Sequence, residues 1–256
     1  MASVVSRGYK IHYESSGDGP PLMLVPGFTQ WAEQWDSAQY VAALNDRFRV
    51  VRIDPLGHGL SDKPHEPQAY RWSSVIDDLV AVADAEGLDR PMWWGFSRGA
   101  ELVLDLAHLH PTRAAAVVVG SATNSFGTDV EFDWATITDQ LRAGDCLPRL
   151  WATLGFIDPA GVEFGTTMND CDALACVIEG QYLDDSLVYE QLDVPALAYK
   201  GSLEGYGPLM TGLLATPGFE AHEVSGANHS DAFERSADVL PIVLPFLIRN
   251  STLSGQ

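Results

Sequence analysis

Cationic residues are scarce in this chain: 15 Lys and Arg stand against 35 Asp and Glu, a formal net charge of −20 over 256 residues. Phosphate backbones and anionic lipid surfaces are repelled by such a balance, so neither nucleic acid nor a membrane is expected as a partner. Cysteine is also sparse. Cys146, Cys171 and Cys176 are odd in number and too few for a disulfide framework. Cys171 and Cys176 have no histidine between them and do not follow zinc-finger spacing, so ordinary reduced thiols and no metal are expected. Long hydrophobic runs are missing. The most apolar tail stretch, 239–248, contains Pro241 and Pro245 and is too short to span a bilayer. Met1 to Arg7 lacks the basic-then-apolar pattern of a secretion signal. Repeats and low-complexity tracts are absent too. A cytoplasmic, water-soluble protein is the expectation. A hydrophobic content of 46% is enough for a substantial core, and the length suits one large α/β domain with an insertion.

What is present is organised around Gly95-Phe96-Ser97-Arg98-Gly99. The run Arg90 to Trp94 before it reads as a buried strand, and Ala100 to His108 after it reads as a helix by apolar spacing and residue type. Gly-x-Ser-x-Gly at a strand-to-helix corner is the context that gives the motif meaning. The glycines make room for a tight turn, and the serine is forced into strained backbone angles with its oxygen exposed. Free N–H groups at the helix start favour developing negative charge there.

In chain order, 4–6 and 9–14 read as strands, and 22–25 as a continuous apolar strand buried on both faces. A helix is expected over 31–44, a strand over 47–53 and a helix over 74–86 stopped by Gly87. After the nucleophile turn comes a β-branched run over 114–119. Strand–helix alternation stops at Gly120 and resumes at Val194, with a strand to Lys200, a helix over 209–214, a strand over 219–224 and a helix over 237–250. The pattern predicts an α/β protein: a mostly parallel sheet with helices on both faces, built from 1–120 and 193–256, with 121–192 a helical lid over the C-terminal strand ends.

Five segments in this order resemble the α/β-hydrolase family over essentially the whole chain: Pro26-Gly27-Phe28, Asp54 through Pro64, Gly95 through Gly99, Gly201 through Glu204, and Gly226-Ala227-Asn228-His229. The resemblance implies Ser97 as nucleophile and His229 as its base, following the last strand and preceding the last helix. It implies Glu204 as the acid, in a Gly-x-x-Glu pattern where the family usually has Asp. Asp129 or Glu131, after the strand ending at Gly120, is the other candidate for the acid. The backbone amides of Phe28 and Arg98 are implied as oxyanion donors. The Arg98 side chain departs from the family's commoner Met, Gln or Leu, and an ion pair with Glu101 three residues on is its plain explanation. His58, in the glycine-rich turn after a strand, is expected to be structural or to line the site. The insertion is rich in aromatics. Most of these are expected to pack the lid, with Phe132, Trp134 and Trp151 as substrate-contacting candidates in an apolar pocket.

The expected activity is cofactor-free hydrolysis of a small or medium carboxylic ester, or a lactone, through an acyl-enzyme on Ser97. Two alternatives stand beside it: cleavage of a C–C bond next to a ketone by the same residues, and a small-ligand receptor that has kept the fold. Dehalogenation is disfavoured, since that branch of the family uses a carboxylate where this chain has Ser97. A small apolar ester-like molecule is the expected partner, and the chain is expected to be a monomer or a homodimer.

Overall fold

The computed structural model describes residues 2–122, 134–144, 168–184, 187, 190–205, 208–214 and 217–253. Eight strands form one sheet: β1 (Ala2–Ser6), β2 (Tyr9–Ser16), β3 (Pro21–Val25), β4 (Arg49–Ile53), β5 (Met92–Phe96), β6 (Val117–Gly120), β7 (Ala196–Gly201) and β8 (Phe219–Val224). Their spatial order is β1-β2-β4-β3-β5-β6-β7-β8. The β1–β2 and β2–β4 pairings are antiparallel, and all others are parallel.

Strand alternation sends neighbouring residues to opposite faces, and each face has its own core. Met23 and Val25 of β3 join Trp93 of β5 in a cluster with helices α3 (Trp72–Ala85) and α4 (Arg98–Leu109). Leu22 and Leu24 join Trp94 in the opposite cluster, which holds α1 (Gln34–Ser37), α2 (Tyr40–Leu44) and the C-terminal helix Ser236–Asn250. This is the doubly covered, mostly parallel sheet that the sequence predicts.

The helix expected over 31–44 is instead two short ones, broken at Gln39 in the left-handed region at φ 67°. Trp35 and Tyr40 both pack edge-on against Trp94, at centroid distances of 5.3 and 5.1 Å. Residues five apart on a continuous helix point about 140° from each other, so one unbroken helix could not present both rings to the same partner. The nucleophile strand also lies two residues later than expected. Gly95 and Phe96 are therefore its last residues, and α4 starts directly after Ser97.

Between β6 and β7 the described chain forms α5 (Trp134–Arg142) and α6 (Cys171–Gln181). Helix α6 is fixed to the sheet-bearing part along its length. At its start the Asn169 side chain donates to Thr29 O at 3.0 Å, and both Asp170 oxygens lie within 3.1 Å of His65 Nε2. Near its end Gly180 passes so close to Pro67 O and Tyr70 that a side chain would overlap them. Just beyond, Asp184 accepts from Ser73 and Arg71. Cys171 and Cys176 each carry a free thiol.

The turn at Ser97 depends on backbone proximity. A Cβ at Gly95 would overlap the carbonyl of Gly99, and one at Gly99 would overlap the carbonyls of Val25 and Pro26. Because the obstructing atoms are main chain and cannot swing away, Gly95→Ala is expected to cost about 3 kcal/mol. Urea denaturation of the variant against the parent checks this, and a loss under about 1 kcal/mol would contradict the packing described.

Candidate active site

In an open parallel sheet a crevice forms where successive connections leave in opposite directions. Here β3 leads to β4 on one side while β5 lies on the other, so the crevice falls beyond the C-terminal ends of β3 and β5. Gly27-Phe28 follows β3 and Ser97 follows β5. The two loops touch: a Cβ on Gly27 would sit 3.0 Å from Ser97 Cβ.

Ser97 adopts φ 53°, ψ −122°, a conformation costly for a residue with a side chain. It is held there by its N–H bond to Gly120 O (2.7 Å) and by Ala100 N–H donating to its carbonyl (2.9 Å). Its Oγ lies 3.0 Å from His229 Nε2, although 132 positions separate the two residues. His229 Nδ1 lies 2.9 Å from Glu204 Oε2. An ionised carboxylate only accepts, so Nδ1–H donates to Glu204 and Nε2 offers its lone pair to the Ser97 hydroxyl. The ring of Phe96, 5.1 Å from the imidazole centroid, limits its tilt.

Glu204 reaches the imidazole because its loop folds back. Glu204 N–H donates to Gly201 O, and the side chain's Oε1 accepts from Gly201 N–H (2.9 Å) and Ser121 Oγ (3.0 Å). With Oε1 occupied, Oε2 faces His229. Gly201 itself approaches Ala227 O so closely that no side chain fits, and this presses the Glu204 loop against the His229 loop. Buried Lys200 clamps the same corner, donating to Glu204 O at 2.8 Å and to Glu223 Oε1 at 2.7 Å.

The amides of Phe28 and Arg98 make no hydrogen bond to a described residue, which leaves both donors open. The Phe28 loop is braced by buried Gln30, whose Oε1 accepts from Gly27 N–H at 2.8 Å. Trp134 stands edge-on to the Phe28 ring at 6.2 Å. Trp151 and Phe132, and the alternative acids Asp129 and Glu131, lie outside the described residues.

The sheet order, the glycine-enforced serine turn and a sequence match complete the assignment: the alpha/beta hydrolase fold family model matches residues 20–145. The chain has the α/β-hydrolase fold. It is 37% identical over 114 residues to the pimeloyl-[acyl-carrier protein] methyl ester esterase of Methylococcus capsulatus, an alignment covering 44% of this chain and 41% of that protein. It is 36% identical over 118 residues to haloalkane dehalogenase 2 of Mycobacterium tuberculosis, covering 45% and 39%. The chain thus matches less than half the length of either curated relative. The crystal structure of the enol-lactonase from Burkholderia xenovorans superposes over 96% of this chain and 100% of that one, with a TM-score of 0.76 at 24% identity, a likeness of fold.

Within this α/β-hydrolase framework Gln30, Ser121 and Lys200 were not legible as site residues, because what distinguishes each is a partner brought near by folding. Asp54 is the hub of a further network. It accepts from Ala32 N–H and Leu60 N–H and pairs with His12 Nδ1 at 2.8 Å, which pins the 54–62 turn to β2.

The expected Arg98–Glu101 ion pair does not form; Arg98 is buried instead, with its guanidinium 5.0 Å from the Trp72 ring centroid. A side chain at the first position of α4 is turned under α3 and the β4 loop, where water cannot compensate its charge. Burial lowers the Arg98 pKa to about 10, with Glu101 and Tyr70 opposing. Burial, with the help of Asp105, raises Glu101 to about 7 against the pull of Arg98. His58, buried next to this cation, is pushed down to about 3, first by burial and then by Arg98, so it is neutral at ordinary pH. A carboxyl whose folded pKa is raised favours folding most below its unfolded value and loses that contribution as pH rises through the folded one. Glu101→Gln is therefore expected to gain stability relative to the parent between about pH 4.5 and about pH 7. Denaturation curves at pH 5 and pH 8 read this, whereas a true ion pair would make the variant less stable at pH 8.

Proposed function

We propose that this protein is a serine hydrolase that cleaves a small or medium carboxylic ester or lactone through an acyl-enzyme on Ser97. The observation that carries the reading is the unbroken line from Ser97 Oγ to His229 Nε2 and from His229 Nδ1 to Glu204, at 3.0 and 2.9 Å. An unassisted serine hydroxyl is a poor nucleophile near neutral pH, and this arrangement supplies what it lacks. His229 takes the hydroxyl proton as Oγ bonds to the carbonyl carbon, and Glu204 stabilises the imidazolium that forms. The oxyanion is received by the amides of Phe28 and Arg98. Collapse breaks the ester C–O bond, and the leaving alcohol takes the proton from His229. Water, giving its proton to the same nitrogen, then attacks the acyl carbon and restores Ser97 with release of the acid.

Residues 121–192 act in this scheme as the cap over the site. Trp134, set against Phe28, shapes the wall beside the carbonyl. The esterase and the enol-lactonase among the relatives fit this chemistry. A dehalogenase-like reading is not adopted, because the nucleophile position holds Ser97.

Ser97→Ala is expected to remain folded and to lose both hydrolysis of p-nitrophenyl esters and labelling by a fluorophosphonate, read by mass spectrometry. A parent protein that takes up no label at Ser97, or a variant that still turns over ester, would refute the assignment. Glu204→Gln is expected to lower kcat by about 10³ to 10⁴ without changing the circular dichroism spectrum, as loss of the orienting acid does elsewhere. A loss under tenfold would place the acid somewhere other than Glu204.

A further inference from the structure

Every hydrogen-bonding group of Glu204 has a partner, yet the one cation closest in sequence to Ser97 has none. Arg98 is 8% exposed, and its Nε and Nη2 are sealed from solvent without a hydrogen-bond partner. Nor does any described residue form an ion pair with it. A buried guanidinium with no partner is among the costliest groups a fold can hold, so native structures keep one where an unseen group completes it. In a chain with a net charge of −20 there is no shortage of carboxylates that could have been placed there.

The surroundings indicate what completes it. The cation lies by Trp72, whose indole N–H is fixed on Asp105 Oδ2 at 2.7 Å, so the guanidinium rests against an anchored ring. His58, whose pKa Arg98 depresses, also has a buried Nε2 without a partner, while its Nδ1 lies 3.2 Å from Leu56 O. The His58 ring is 6.0 Å from that of Phe28, in the loop that touches Ser97. Both unpartnered buried groups therefore lie next to the Ser97 turn: Arg98 follows Ser97 in the chain, and His58 stands against the Phe28 ring. A planar guanidinium fork suits a carboxylate or a phosphate. A doubly charged phosphate would overshoot a single positive charge set near Glu101 and Asp105, whereas a carboxylate balances it.

We infer that Arg98 forms a subsite for a carboxylate on the substrate, so that the ester or lactone hydrolysed here is a half-ester of a dicarboxylic acid or another ester with a free acid group. The inference rests on the reading of Ser97 given above, and the test separates the two.

The test compares mono-p-nitrophenyl glutarate with its uncharged methyl ester, which has the same leaving group and chain length. The parent is expected to favour the charged ester at least tenfold in kcat/KM, mainly through KM. Arg98→Met is expected to bring the ratio to about one, and Arg98→Lys to keep part of the preference. The Arg98→Met protein is also expected to melt at the same or a higher temperature, since an apolar side chain replaces an uncompensated charge. In a second arm, calorimetric titration of glutarate into Ser97→Ala protein is expected to show binding that Ser97→Ala/Arg98→Met loses. Equal turnover of the two esters by the parent, a preference that survives Arg98→Met, or absence of glutarate binding to Ser97→Ala would overturn the inference. If neither ester is hydrolysed and Ser97 takes up no label, the hydrolase reading fails instead, and the glutarate titration still decides the role of Arg98.

Discussion

Helix α4 begins where the backbone of β3 ends, and no side chain separates them. Gly99 lies against the carbonyls of Val25 and Pro26, and Gly95 lies against the main chain of α4 itself. From this contact the rest of the site follows. The serine between the glycines can only turn outward, at backbone angles it would not choose alone, and the loop after β3 is brought within reach of it. Folding free energy gained across both faces of the sheet, in two separate cores, sustains this local strain.

Two charged groups near that turn are treated in opposite ways. Glu204 is buried, and both its oxygens are occupied, by Gly201, Ser121 and His229. Such saturation holds a carboxylate in one orientation and makes it suitable for orienting an imidazole. Arg98 is buried as deeply and left open. A fold that is careful with one charge and careless with the other, a single residue from the nucleophile, resembles a site arranged for something that arrives from outside. Local departures from good packing and pairing tend to collect where function is performed.

The frame of the molecule was legible because apolar runs and turn residues are local. The strands at 22–25 and 219–224, the glycine-flanked serine and the helix after it could all be read before any contact was known. Glu204 and His229 were reached through motifs that follow strands, and the structure brings both to Ser97. What escaped was whatever depends on distant partners. Ser121 meets Glu204 across 83 positions, and Lys200 owes its meaning to burial that its type argues against. The sequence pairs Arg98 with Glu101 because a helical carboxylate three residues on is the usual partner for such a cation. Its burial under Trp72 belongs to the arrangement of α3 over α4, which no window of sequence contains. The break at Gln39 has the same origin, since it serves a ring cluster assembled from four parts of the chain.

Ser121 has a mechanical consequence. It is the first residue past β6, its N–H is tied to Tyr199 O at 2.7 Å, and its hydroxyl is tied to Glu204. A segment entering through such a double anchorage has no lever arm: tension from farther along the chain is discharged into the sheet before it can twist the carboxylate. The stretch between Ser121 and β7 can consequently change in length while the groups around Ser97 keep their alignment.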